Sequence, residues 1–116
     1  MKFKINTEHL IRLIGFCYEA VSSLSRSTGM QDLVFRFKIL IKNLNNLSEE
    51  SNSGEVYLQG EDILGSIFLL ASLVNAGILK TSDPFLEEFL VNFYAEYFKN
   101  KFKINNEQKA GEEQER

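Results

Sequence analysis

Apolar residues recur at helical spacing in four stretches of this chain, separated by polar breaks. From residue 7 to about 25 they fall at Leu10, Ile11, Leu13, Ile14, Phe16, Cys17, Tyr18, Ala20, Val21 and Leu24. Only a narrow face around Arg12, Gly15, Glu19, Ser22 and Ser23 stays polar, which predicts a mostly buried first helix. Asn6 is its expected N-cap, with Ile5 and Leu10 at the spacing of a hydrophobic staple. After "SRSTGMQ", Thr28 and Gln31 have the form of a capping box and predict the start of a second helix. Its stripe is Met30, Leu33, Phe37, Leu40, Leu44 and Leu47, widened by Val34 and Ile41. The short connection predicts that the two helices pack antiparallel.

"SEESNSGEVYLQGED" breaks the pattern and reads as a crossover loop holding a brief extended segment, Val56-Tyr57-Leu58. A strand there would count against a purely helical bundle. The third helix is expected near residues 61 to 76. No charge occurs between Ile63 and Leu79, so this helix reads as central and buried on all sides. A membrane span needs about 20 apolar residues, and Gly65, Ser66, Ser72 and Asn75 dilute the run. Gly77 is the expected stop. Asp83-Pro84 then marks a fourth helix, the carboxylate capping free N–H groups and proline taking the first helical position. It is expected to run to about residue 103, with Glu87 and Glu88 at its start and Lys99, Lys101 and Lys103 at its end to complement the helix dipole. "NNEQKAGEEQER" carries no apolar pattern. The fold expected is all-α: a compact four-helix domain of two antiparallel helical hairpins over residues 1–104, with a flexible polar tail at 105–116.

One short segment resists this pattern. Lys-Phe-Lys-Ile-Asn occurs at residues 2–6 and again at 101–105. Paired as strands, the copies would crowd lysines on one face. The expected reading is one pentapeptide in two conformations, cap and staple before the first helix and continuation of the fourth, with Asn105 as its stop.

Composition adds bounds rather than a motif. At 116 residues, 44% hydrophobic and 25% charged, the chain suits a single globular domain. The lone Cys17 makes no internal disulfide, and Glu8, His9 and Arg12 interrupt the first apolar run where a signal sequence would be unbroken. A cytoplasmic protein is therefore expected. Catalysis finds no constellation: His9 is the only histidine, Cys17 lies on an apolar stripe, and neither zinc-ligand nor calcium-loop spacing occurs. Glu49, Glu50, Glu55, Glu61 and Asp62 gather around the long loop and read as a solvated acidic cluster. No phosphate-binding glycine loop is present. Neither an enzyme nor a cofactor is expected.

The residues left outside the core stripes are more informative. Phe35 and Ile39 lie one turn apart on the back of the second helix, flanked by Arg36, Lys38 and Lys42. Either the 48–60 loop folds over them, or they form a partner-binding patch with an apolar centre and basic rim. On the fourth helix Leu86, Leu90, Phe93 and Tyr97 form the core stripe, while Phe85 and Phe89 fall beside it. Either that helix is packed on two sides, or these rings mediate self-association as a homodimer. The leading expectation is a non-catalytic helical protein-binding module, an adaptor, inhibitor or accessory subunit, with no membrane role. The alternative is a nucleic-acid-associated subunit, using the basic residues of the second helix and a phosphate-binding cluster of Lys2, Lys4, Lys99, Lys101 and Lys103. Against it stands the net charge of -3.

Overall fold

The computed structural model describes the backbone of residues 1–51 and 53–114 and the side chains of residues 1–51 and 53–102. The chain runs β1 (Lys2–Asn6), α1 (Thr7–Leu24), α2 (Gln31–Glu50), β2 (Glu55–Gln59), α3 (Glu61–Asn75) and α4 (Pro84–Gln114). Among the described residues it is mostly helical, with four helices and one small two-stranded sheet, so the all-α expectation holds in outline. Two successive β-α-α units follow one another, and their strands pair antiparallel, with Phe3 opposite Leu58 and Ile5 opposite Val56.

This strand pair corrects the crossover-loop expectation for residues 48–60. Both strand segments alternate apolar and polar residues, so pairing them puts Ile5, Val56 and Leu58 into the core together. The opposite face stays in solvent, where Lys4 meets Glu55 at 2.9 Å and Lys2 lies over the Tyr57 ring. The first Lys-Phe-Lys-Ile-Asn copy is thus a strand, paired with a different sequence. The second copy falls on α4, with Lys101 and Phe102 in helix. The two conformations stand, but the first is sheet as well as cap.

Helix starts follow local chemistry where it is strong. Asn6 caps α1, its Oδ1 accepting from the His9 N–H at 2.7 Å. Asp83 caps α4 in the same way, accepting from the Phe85 N–H at 2.9 Å, with Pro84 in the first turn. The Thr28–Gln31 capping box does not form. Gly29 adopts a left-handed φ of 85° that turns the chain, and α2 begins after Met30 with no side-chain cap. At the end of α3, Gly77 is also left-handed, at 77°. Ile78 donates to the Leu73 carbonyl and Gly77 to the Val74 carbonyl, a Schellman stop. The backbone of α4 continues past Asn105 to Gln114. No proline follows Asn105, and apart from Gly111 the segment is rich in Glu, Gln, Lys and Ala, which are good helix formers. The lysines at 99–103 are accordingly not in its last turn.

The core draws on every element: Leu10, Leu13 and Cys17 from α1, Phe37, Leu40 and Leu44 from α2, Ile67 and Leu70 from α3, and Leu90 and Phe93 from α4. α1 packs on α2, α3 on α4, and α2 on α3. α3 is buried or half-buried from Ile63 to Val74. α1 is less buried than its composition suggests, since Ile11 and Tyr18 face outward. Among the described residues no helix is long and apolar enough to cross a membrane.

Candidate functional site

Phe35, Lys38, Ile39 and Lys42 occupy positions i, i+3, i+4 and i+7 of α2, so one helix face presents all four. That face is solvent-facing. Phe35 is 66% exposed and Ile39 43% exposed, both far above the core residues Phe37 and Leu40 one or two positions away. The described residues after α2 do not cover them, because Val56 and Leu58 are spent on the core beneath the β1–β2 pair. Beside Phe35 lies a groove of about 330 Å³ lined by Leu24, Ser25, Ser27, Gln31, Val34 and Lys38. The patch is therefore an apolar pair sharing one solvent-exposed face with Lys38 and Lys42.

Arg36 does not belong to that patch. Its Nε donates to Ser66 Oγ at 3.0 Å, and Ser66 in turn donates to the Asp62 carbonyl. The guanidinium passes close over Gly65, where an added Cβ would lie a tight 3.0 Å from it and 3.2 Å from Glu61 Oε1. The guanidinium thus ties α2 to the second turn of α3 instead of forming a rim beside Phe35.

Glu61 stands at the centre of a second cluster, formed by residues distant in sequence. The Tyr97 hydroxyl donates to Glu61 Oε1, and Lys101 Nζ donates to the same oxygen at 3.2 Å. The Tyr97 hydroxyl, followed by Lys101, holds the Glu61 carboxyl below its ordinary value. Burial, then the Glu61 carboxylate, pushes Tyr97 up, and Glu61 does the same for Lys101. These groups neutralise one another and pin α4 to α3. Because the folded-state pKa of Glu61 is depressed, the stabilisation is present above its unfolded value of 4.5 and is lost as pH falls through the lowered folded value. Removing the hydroxyl with Tyr97→Phe is expected to cost about 1 kcal/mol at neutral pH, a small figure because the carboxylate is largely exposed. Urea denaturation of both proteins checks it: the difference should shrink once the pH drops below 4.5 and Glu61 protonates.

Phe85 and Phe89 are half-buried. Phe85 stacks on His9 with ring centroids 3.6 Å apart, and Phe89 sits between Phe85 and Phe93. With Phe3 and Lys4 they line a groove of about 360 Å³ between β1 and α4. The exposed rings of α4 are instead Phe98 and Phe102. The sequence signal for this face is the i, i+4 spacing Tyr94–Phe98–Phe102. Of the proposed phosphate-binding lysines, Lys4 faces Glu55 and Lys101 faces Glu61. Met1 lines the same cavity as Lys101, so the N-terminus does lie beside α4. The Lys103 side chain, and those of the 105–116 tail, lie outside the described residues.

Among the described residues no group of three or more His, Cys, Asp and Glu side chains is placed to hold a metal ion. The chain matches no protein-family model, no curated protein and no solved structure.

Proposed function

We propose that this chain is a non-catalytic binding module, an adaptor, inhibitor or accessory subunit, that docks a protein partner through the outer face of α2. The observation that carries the reading is the uncovered pair Phe35 and Ile39, aligned on one helix face with Lys38 and Lys42. An apolar centre flanked by cations suits a partner that offers an apolar side chain with acidic neighbours. Phe35 supplies most of the contact area, and the two lysines select orientation and speed association. A reducing, cytoplasmic setting fits the lone thiol of Cys17.

The double variant Phe35→Ser/Ile39→Ser tests it by affinity purification from the native host, with the intact complex weighed by mass spectrometry. The wild-type chain should retain a defined partner that the variant loses, while helicity and melting temperature stay unchanged. Equal retention by the variant, or loss of folding, would overturn the assignment. The nucleic-acid reading is the weaker one, since Lys4 and Lys101 already face carboxylates. Fluorescence anisotropy with labelled oligonucleotides at low salt separates the two, because phosphate binding is strongest there and a protein-binding face shows none.

A further inference from the structure

We propose that the chain forms a twofold homodimer in which the outer face of α4 packs antiparallel against the same face of a second copy. The proposal uses residues other than the α2 patch and stands independently of it. Val91, Phe98 and Phe102 are 57%, 56% and 57% exposed. Their separations of seven and four residues place them on one stripe, about 16 Å long at the α-helical rise. Tyr94 joins that stripe to the body of the protein, stacking on Phe68 of α3 on one side and on Phe98 on the other. Shallow grooves flank the stripe where α3 meets α4, one beside Val91 and Ala95 and one beside Leu69 and Phe98. No described residue covers the stripe.

The charges along α4 identify the occupant. Glu87 and Lys101 lie on the edge of the stripe nearer α3, and Glu88 and Lys99 lie on the opposite edge; all four are exposed. When two identical helices pack antiparallel about a twofold axis, each edge meets its own counterpart. Glu87 of one copy then opposes Lys101 of the other, Glu88 opposes Lys99, and Val91 opposes Phe98. These three pairings share one centre, at residue 94, to within half a residue, which is less than about 1 Å along the helix axis. A single axis beside Tyr94 therefore satisfies both charged edges and the Val91–Phe98 contact at once. Parallel packing would set Glu on Glu and Lys on Lys. Lys101 is still about half exposed while bonded to Glu61, so it can serve both carboxylates.

Sedimentation equilibrium on the full 116-residue chain, from about 1 to 500 µM, tests the proposal. The mass should rise from one copy to two across that range. Phe98→Glu, on an already exposed side chain, should leave helicity intact and hold the chain as a monomer. Glu88→Lys alone and Lys99→Glu alone should each raise the dimer dissociation constant about tenfold by opposing like charges. The combined Glu88→Lys/Lys99→Glu chain should recover the wild-type value, because the exchanged charges again meet their opposites only if the helices are antiparallel. A monomer at every concentration, a dimer indifferent to Phe98→Glu, or a double variant no tighter than the singles would overturn it.

Discussion

Replacing Phe93 with Ala is expected to cost about 3–5 kcal/mol, a large part of the roughly 5–15 kcal/mol that holds a domain of this kind together. The ring is 1% exposed and lies where the terminal strand meets α4: its centroid is 4.4 Å from that of Phe3, 6.0 Å from Phe89 and 5.9 Å from Tyr97. Truncation removes buried area, leaves a cavity and breaks aromatic contacts that add to the area term. Few neighbours can relax into the space, because Phe93 is held between Phe3 of β1 and the rings of its own helix. Urea denaturation followed by helical circular dichroism should show the midpoint falling steeply. Phe98→Ala, on the exposed side of the same helix, should move it by only about 0.5 kcal/mol when measured at a concentration where the chain is monomeric. Comparable losses at both positions would mean that the two faces of α4 are not distinguished as described.

That contrast also shows which parts of the fold were legible. The stripe Leu86, Leu90, Phe93 and Tyr97 was readable because periodicity reports a helix's own buried face, and all four are buried. Asn6 and Asp83 were readable because capping is settled within a few residues. Thr28 failed as a cap although its spacing was right, since Gly29 gave the chain a tighter way to turn. The pairing of β1 with β2 was not legible. Each strand is only five residues long, and the choice of partner depends on contacts some 50 residues apart. For the candidate site, Phe35 and Ile39 could be seen to miss the core stripe, but whether the following segment covered them depended on β2 being used elsewhere. Arg36 was placed on their rim because position on a helix wheel does not reveal an acceptor on another helix, and Ser66 of α3 is that acceptor. The joining of Glu61 with Tyr97 and Lys101 spans 36 and 40 residues, beyond the reach of any local pattern.

The α2 face and the α4 stripe use different surfaces, and the groove beside Phe35 shares no lining residue with those beside Val91 and Phe98. A twofold dimer built on α4 would therefore leave both copies of the α2 face free. Two weak sites held at fixed separation bind a divalent or repeated partner more tightly than either alone, with no new contact required. Phe98→Glu then separates the roles: it should weaken capture of a multivalent partner while leaving the affinity of a single α2 face unchanged.

Cys17 should resist thiol reagents in the folded chain and contribute to its alkaline sensitivity. The side chain is fully buried, and burial pushes its thiol from 9.0 up to about 12. Thiolate is the reactive form, so at pH 8 labelling must wait for an opening of the core. The rate should lie at least about a thousandfold below that of an unfolded control, since open forms of a stable domain are rarer than that. Because the folded pKa exceeds the unfolded one, the thiol favours the folded state fully below pH 9.0, and that contribution is lost as pH rises toward about 12. In this window Cys17 lowers stability by up to about 1.4 kcal/mol per pH unit. Lysines and tyrosines titrate in the same range, so the measurement is a difference between the native chain and Cys17→Ala. The variant should be less stable at pH 7, having lost a buried sulfur, yet its stability should fall less steeply between pH 9 and 11. Parallel stability curves for the two proteins, or labelling at the rate of a free thiol, would show that Cys17 is not sealed in the core.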